Sequence, residues 1–332
     1  MKNGKLTSFN SDFSTRIANK TFYGSDTGKL NIHLNAIFGP DAIPVKDVES
    51  GYLTWDKMPS EDFLADYYAT IYVTNNAYWY NPDNDYSPKP LLIDSIKKLA
   101  EKYFPNLLGK LHIHDLGCSF GGLVHQLRQA GFEATGTDLN VTAINQGRER
   151  GNFYIFNQDV DDFLLSLSSP PDIFISNHVL EHFIDPSSFV HSLQCHFGEN
   201  TLGFFIFPNG NFYPALLGRY DLHGWYGYPD HLHLFGPGAG FRLFKDNGFE
   251  ILEVACGSYS DFNKDSIISC FSPLNPGAVI DYDSLRSALE KNFAGCELSF
   301  TFCKSSSRMA SLNSDDIQKS LALFEKFQTA RI

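Results

Sequence analysis

The stretch that most constrains the fold is a short apolar run that ends in a glycine-rich turn, at residues 111–122. Residues 111–116 have the alternation of a buried strand, and Gly117, Gly121 and Gly122 follow directly. A helical pattern then begins at Leu123. This combination forms a site for a small polar ligand, because glycines let the backbone approach it and free N–H groups at the helix start face it.

A carboxylate sets the chemistry of this turn. Asp115 stands at its lip, next to the glycines. A turn built to bind a pyrophosphate should not carry a carboxylate there, because two anions repel each other. The residue instead suits a ligand that has an amino group and a positive charge.

The turn resembles the first motif of class I S-adenosylmethionine-dependent methyltransferases, through Asp115, Gly117, Ser119 and Gly121. Ser119 stands where glycine is more usual. The ligand of that family carries a sulfonium and an α-ammonium group and no phosphate. Gly117, Ser119 and Gly122 also form a degraded dinucleotide fingerprint, so an NAD(P)-dependent oxidoreductase is the first alternative. An unrelated strand-to-helix turn of an α/β protein is another.

Strands and helices alternate from residue 111 onward. Strands are predicted at 111–116, 133–138, 152–157, 172–177, 201–207 and 249–256, and helices near 91–103, 121–130, 140–150, 160–168 and 186–197. This order predicts an α/β fold, a Rossmann-like doubly wound sheet with helices on both faces and ligands at the carboxyl ends of the strands. The resemblance implies seven strands, mostly parallel, with an antiparallel last strand at the edge. Residues 265–271 and 297–303 are both possible for that strand.

Two further acids follow strands of this pattern. Asp138 closes the second strand, where a carboxylate can accept both ribose hydroxyls of an adenosine, in NAD as well as in S-adenosylmethionine. The resemblance places an acid for the adenine amino group at Asp159, which could instead, or also, cap a helix. The residues expected to bind the cofactor, S-adenosylmethionine, are Asp115, Gly117, Cys118, Ser119, Gly121, Asp138, Leu139, Asp159, Val160 and Asn177.

The segment after the fourth strand distinguishes the alternatives. Residues 175–186, Ile-Ser-Asn-His-Val-Leu-Glu-His-Phe-Ile-Asp-Pro, resemble one methyltransferase group in which a Val-Leu-Glu-His run precedes Asp-Pro. A nicotinamide enzyme has no need for this segment. The Asn/Asp-Pro-Pro-aromatic motif of base-modifying amino-methyltransferases is absent, and a net charge of −12 also disfavours nucleic acid partners. Residues 230–237 and 247–250 resemble the family's approach to strand six.

The resemblance implies an enzyme that methylates a small molecule, such as a sugar or another specialised metabolite, with O-methylation favoured. The protein must align the acceptor and exclude water, and a hydroxyl acceptor also requires a base. Histidine suits that role near neutral pH. His231 and His182 are the first candidates, with His178 and His233 behind them, although each could be structural and Glu181-His182 could simply begin a helix. A methyltransferase-fold binding protein without turnover is the remaining alternative.

Aromatic segments lie on both sides of this domain in sequence. A helix that begins at Ser60 has an aromatic face that either packs in the core or covers the ligands. The insert at 209–235 either binds the acceptor or packs on residues 60–80. The expected substrate residues are Tyr72, Trp225, Tyr226 and His233. The histidines at 223, 231 and 233 lack a nearby acid pair, so no metal is predicted.

The chain divides into an N-terminal cover at 1–88, a cofactor domain at 89–257 and a C-terminal part at 258–332 that completes the fold. There is no run of eighteen apolar residues and no apolar stretch after Met1, so neither a membrane partner nor a signal peptide is expected. Six cysteines without C-x-x-C spacing favour reduced thiols and a cytoplasmic location. Helices are predicted at 282–293 and 315–329, and the latter could mediate a homodimer.

Overall fold

The computed structural model describes residues 44–47, 52–55, 58–68, 81–107, 110–212, 231–257, 281–291 and 293–311. Its strands are β1 (Pro44–Asp47), β2 (Tyr52–Trp55), β3 (His112–Leu116), β4 (Glu133–Asp138), β5 (Ile155–Asn157), β6 (Ile173–Asn177), β7 (Leu202–Pro208), β8 (His233–Leu234), β9 (Phe249–Gly257) and β10 (Glu297–Lys304). They form one sheet of seven strands and one of three. The larger sheet carries the predicted cofactor residues.

The seven-stranded sheet has the order β5-β4-β3-β6-β7-β10-β9. Strands β3 to β7 pair in parallel, whereas β10 is antiparallel to both of its neighbours, β7 and β9. The predicted doubly wound sheet with an antiparallel last strand is therefore confirmed. That strand corresponds to the 297–303 prediction and lies inside the sheet, so β9 takes the edge position. The other predicted strand, 265–271, lies outside the described residues.

The described helices connect these strands in the predicted alternation. They are α1 (Glu61–Asp66), α2 (Pro82–Asp85), α3 (Pro90–Tyr103), α4 (Gly122–Gln129), α5 (Val141–Glu149), α6 (Val160–Ser166), α7 (Pro186–His196), α8 (Pro237–Asp246) and α9 (Tyr282–Lys291), with 3-10 turns at Leu180–His182 and Arg308–Ser311. Side chains of Asn140, Asp159 and Asp185 cap α5, α6 and α7 by accepting main-chain N–H groups. None of the helices in the described ranges has the length and apolar character that crossing a bilayer requires. The helix predicted at 315–329 lies outside those ranges.

Helices cover both faces of the sheet, and β7 shows how. Leu202, Phe204 and Ile206 pack on one face with α3, α4 and α5. Phe205 and Phe207 point to the other face and pack with α6, α7 and α8. Such alternation with both faces apolar is the pattern of a strand buried between two helical layers. The second face is rich in phenylalanine, so much of the aromatic excess fills the core.

The three-stranded sheet joins the N-terminal segment to the end of the insert. Strand β2 pairs antiparallel with β1 and with β8. Trp55 and Leu64 pack on Leu232 in a small apolar cluster. The described parts of the two aromatic segments therefore contact each other. Tyr72, Trp225 and Tyr226, predicted to touch the substrate, lie outside the described residues.

Candidate functional site

The glycine turn after β3 is tight and is tied to the neighbouring strand. Gly117 and Gly121 have φ angles of +73° and +82°, in the left-handed region that glycine adopts without strain. The N–H groups of Gly117 and Cys118 both donate to the carbonyl of Thr137, at 2.8 and 2.9 Å. These bonds fix the turn against the end of β4, as a ligand site at the carboxyl edge of the sheet requires.

Asp115 lies under this turn with an unused acceptor. Its side chain is 3% exposed, and among the described residues its Oδ1 has no hydrogen-bond partner. Burial and the charges of Asp85 and Asp138 raise the pKa of Asp115 well above its usual value, and Lys89 opposes them. Buried polar atoms in proteins are nearly always paired. An ammonium group of a bound ligand would supply the missing partner and favour the ionised carboxylate.

Asp138 ends β4 and holds the loops on both sides of it. Its Oδ2 accepts the N–H of Ser119 at 2.8 Å, and its Oδ1 accepts the N–H of Asn140 at 2.7 Å. Burial raises the pKa of Asp138, while these two N–H groups and the charge of His182 lower it. Each carboxylate oxygen can accept a second hydrogen bond. The capacity to bind ribose hydroxyls is therefore retained.

The predicted adenine-binding residues lie around the next loop. Asp159 caps α6, since its Oδ1 accepts the N–H of Asp161 at 2.8 Å, which confirms the capping interpretation. Its role toward adenine stays a prediction. Leu139 is 70% exposed directly after Asp138, and Val160 is partly buried against the core. An exposed leucine at this position leaves an apolar surface available to a ring.

Two other predicted cofactor residues, Asn177 and Cys118, differ in which of their atoms can contact a ligand. Asn177 ends β6 and is partly exposed. The thiol of Cys118 packs in the core cluster, and burial raises its pKa well above the usual value, followed by the charges of Asp138 and Asp115. Only the backbone of Cys118 therefore remains for ligand contact.

The segment just before the predicted domain boundary also contacts the glycine turn. Asp85 Oδ2 accepts the N–H of Gly122 at 2.6 Å and so caps α4. The hydroxyl of Tyr86 donates to the carbonyl of Phe120 at 3.1 Å, and Lys89 Nζ donates to the carbonyl of Asp85. The only signal in the sequence is the polar run after Pro82, which is also typical of an ordinary loop.

His178 is held between two buried glutamates, neither of which was predicted as a site residue. Its Nδ1 lies 3.2 Å from Glu181 Oε1, and its Nε2 lies 2.7 Å from Glu297 Oε1. Burial alone would lower the pKa of His178, but the hydrogen bonds and charges of the two glutamates raise it to about 10. The imidazole is therefore protonated at neutral pH and unsuited to be a general base.

His182 and His231, the first two base candidates, lie close to each other and to Glu181. Their rings are 4.9 Å apart, and His231 Nε2 is 3.9 Å from Glu181 Oε1. The hydroxyl of Tyr68 is 2.8 Å from His182 Nδ1. Burial opposes ionisation of Glu181, yet the hydrogen bond from His178 and the nearby imidazole charges lower its pKa below the usual value. We call Glu181, His182 and His231 the imidazole cluster.

His233, predicted to touch the substrate, is committed to the three-stranded sheet. Its Nδ1 lies 2.6 Å from the hydroxyl of Tyr52, and its Nε2 lies 3.3 Å from the carbonyl of Ile184. Burial lowers the pKa of His233 to about 4, although main-chain carbonyls partly oppose the shift. These contacts give His233 a structural role and separate it from His231.

Comparison with known proteins identifies relatives of this chain. Residues 89–254 match a family model described as a methyltransferase domain. The ubiquinone biosynthesis O-methyltransferase of Rickettsia canadensis (strain McKiel) is 28% identical over 193 residues, which cover 53% of this chain and 79% of that protein.

Two solved structures are also similar. The magnesium protoporphyrin IX methyltransferase of Synechocystis PCC 6803, with bound SAH, has a TM-score of 0.46 and 16% identity, covering 74% of this chain and 100% of that one. An S-adenosylmethionine-dependent methyltransferase from Clostridium acetobutylicum ATCC 824 has a TM-score of 0.45 and 12% identity, covering 71% and 99%. Because both TM-scores are low, the fold is assigned from the order of the strands in the sheet and not from these two structures.

Proposed function

The chain belongs to the methyltransferase domain family, with S-adenosylmethionine as its methyl donor, and from that premise we propose that it methylates a hydroxyl oxygen of a small molecule. The family match supports a methyltransferase over the oxidoreductase alternative. The observation that carries the proposal is the position of the imidazole cluster beside the cofactor residues. The 3-10 turn that carries Glu181 and His182 follows β6, which pairs with β3, and the side chain of Val179 lies against Gly117 of the glycine turn.

The donor supplies a methyl group on a sulfonium, and the described residues fit its polar ends. The unpaired Oδ1 of Asp115 would accept the ammonium group, and the Nζ of Lys89 would approach the carboxylate. Asp138 would bind the ribose. Backbone groups of Gly117, Cys118, Ser119 and Gly121, together with Asn177, would line the methionine end, and Leu139, Asp159 and Val160 would surround the adenine.

The acceptor's hydroxyl would face the imidazole cluster. His178 is protonated at neutral pH, so His182 and His231 are the two imidazoles left to assist loss of the hydroxyl proton. The similarity to a relative named as an O-methyltransferase supports oxygen as the methylated atom. A sugar or another specialised metabolite is the acceptor class that we propose.

The two aromatic segments would complete the acceptor site. Tyr68 contacts His182, and the backbone N–H of Leu232 donates to the carbonyl of Glu181 at 2.9 Å. The described ends of both segments therefore lie beside the cluster. We propose that the acceptor binds beside these described ends, in line with the expectation that residues 60–80 and 209–235 border it together. Tyr72, Trp225 and Tyr226 stay predictions, because they lie outside the described residues.

A transfer assay tests this function. The full chain would be incubated with S-adenosylmethionine labelled in its methyl group and with separate panels of phenols, sugars and amines. We expect label to appear on an oxygen of at least one hydroxylated acceptor. Transfer to nitrogen alone would contradict the O-methylation proposal. Cofactor binding without transfer to any panel would favour the non-catalytic binding protein.

A further inference from the structure

We propose that the imidazole cluster binds a divalent transition-metal ion, which would hold the acceptor's hydroxyl oxygen. The inference rests on the proposed function and gives the cluster a more specific role than that of a general base. Glu181, His182 and His231 each offer a ligand atom, and these atoms lie within 4.8 Å of one another. Two imidazoles and one carboxylate form a donor set that binds metal ions in many enzymes.

The carboxylate of Glu181 provides the second, independent observation. The residue is fully buried, and its Oε2 has no hydrogen-bond partner in the part of the chain that the structure describes. A buried carboxylate oxygen without a partner is unfavourable, because buried polar groups are nearly always hydrogen-bonded or bound to a metal. A cation in the cluster would pair it.

The backbone already fixes the three side chains relative to one another. Glu181 and His182 are neighbours on the 3-10 turn after β6. The segment that carries His231 is tied to this turn by the Leu232 N–H, which donates to the carbonyl of Glu181 at 2.9 Å. The indole N–H of Trp55 donates to the carbonyl of His231 at 3.2 Å. The site therefore needs only side-chain adjustment to close on an ion.

A second layer of contacts orients the ligands. The hydroxyl of Tyr68 lies 2.8 Å from Nδ1 of His182. Metal-bound histidines typically hydrogen-bond through their other ring nitrogen, which fixes the ring orientation. His178 does the same for the carboxylate, because its Nδ1 lies 3.2 Å from Glu181 Oε1. These contacts match the surroundings of a metal site.

The donor set indicates the kind of metal. Imidazole ligands favour zinc and its transition-metal neighbours, whereas magnesium and calcium favour oxygen ligands. Three protein ligands also leave a position open, as in catalytic zinc sites. The sequence predicted no metal because the histidines at 223, 231 and 233 have no acid pair near them in sequence. The structure turns His233 toward Tyr52 and brings His182 and Glu181 to His231 instead.

The bound ion would activate the acceptor by lowering the pKa of its hydroxyl. The O–H bond breaks and its proton passes to water. The oxygen then forms a bond to the methyl carbon while the carbon–sulfur bond breaks, which gives a methyl ether and S-adenosylhomocysteine. In this scheme His231 and His182 hold the ion rather than accept the proton.

The test titrates the full chain, freed of metal with a chelator, with Zn²⁺ alone in a calorimeter. We expect one ion per chain, and affinity about 100-fold weaker or worse in His182→Ala and His231→Ala, since even outer contacts of a metal site are worth 10- to 100-fold. His191→Ala, which removes an exposed imidazole from α7, should bind as the wild type does. Equal binding by the wild type and both ligand variants would overturn the site.

Titration of the same proteins with S-adenosylhomocysteine separates this inference from the proposed function. Retained affinity in the variants would show that they are folded and that the Zn²⁺ loss is local. Zn²⁺ loss in variants that cannot bind S-adenosylhomocysteine, while the wild type does, would reflect damage to the fold and count against the site. Wild-type Zn²⁺ binding without S-adenosylhomocysteine binding would support the metal site and contradict the proposed function.

Discussion

Individual side chains decide how the proposed chemistry divides among the histidines. His178 and Glu297 are 119 positions apart in sequence, yet their side chains meet at 2.7 Å. No local pattern reveals such a pair, so sequence reasoning could include His178 among the bases without seeing its partner. Asp115 and Asp138 were easier to predict as neighbours, because each lies at the carboxyl end of a parallel strand and those ends share one edge.

Turnover of His231→Ala and His182→Ala tests the imidazole cluster. We expect turnover to fall about 10²–10⁴-fold in either variant across pH 6–9, the usual contribution of groups that promote loss of the acceptor proton, whether directly or through a bound ion. Affinity for S-adenosylhomocysteine should stay nearly unchanged, because neither imidazole is needed to hold it. His191→Ala is the matched control. If neither variant loses more than about threefold, less than such a group normally provides, the cluster has no part in the chemistry.

Strands and helices were predicted more accurately than the turns between them. The predicted strand at 152–157 is β5, Ile155–Asn157, because the side chain of Asn152 donates to the carbonyl of Gly121 at 2.8 Å and ends the turn before it. The helix predicted at Glu181-His182 is only a 3-10 turn. There the carbonyl of Glu181 accepts the N–H of Leu232, so that α7 begins separately at Pro186. Both differences come from contacts distant in sequence.

The buried histidine of β3 predicts an acid-sensitive fold. The His114 ring stacks on Phe163 of α6 with the ring centroids 3.7 Å apart, and its nitrogens contact the hydroxyls of Thr135 and Thr137. Burial, followed by the charge of His112, lowers the pKa of His114 to about 3. The unfolded chain, with a histidine pKa near 6.5, therefore binds one more proton between these values. The contribution of neutral His114 to the free energy of unfolding is complete above about pH 6.5 and is lost as the pH falls toward 3.

Urea unfolding as a function of pH tests this linkage. His114 should contribute a slope of about 1.4 kcal/mol per pH unit below pH 6.5, and His114→Gln should remove it. His191→Gln serves as the control for losing an imidazole. Equal slopes in the wild type and His114→Gln would show that His114 is not held neutral in the folded protein.

The contact between Asp85 and the glycine turn leads to a separate prediction about stability. Asp85→Ala removes the acceptor for the Gly122 N–H, and loss of such a helix cap costs about 0.5–2 kcal/mol in the free energy of unfolding. Asp83→Ala is the control two residues away, because the pair of Asp83 with Arg150 is exposed and contributes at most about 1 kcal/mol. Chemical denaturation measures both. Greater destabilisation by Asp83→Ala would contradict the capping role.

In the whole molecule, described parts of the segments before and after the cofactor residues meet in the small sheet, beside the 3-10 turn that follows β6. Tyr52 and His233 are 181 positions apart and join at 2.6 Å through the small sheet. The aromatic content of both segments suggested a shared location, but their pairing depends on strand register that composition does not specify. Composition also does not distinguish aromatic residues of a site from those of the core, where many phenylalanines pack between the sheet and its helices.

Calorimetric titration with S-adenosylhomocysteine tests most directly the claim that the ends of β3 and β4 form the cofactor site. We predict one molecule bound per chain, no binding of NADH, and affinity weakened by about 1–3 kcal/mol in Asp138→Ala, the cost of leaving buried polar groups unpaired. Asp94→Ala, an exposed acid on α3, should bind like the wild type. Unchanged affinity in a folded Asp138→Ala variant, or binding of NADH in place of S-adenosylhomocysteine, would contradict the claim.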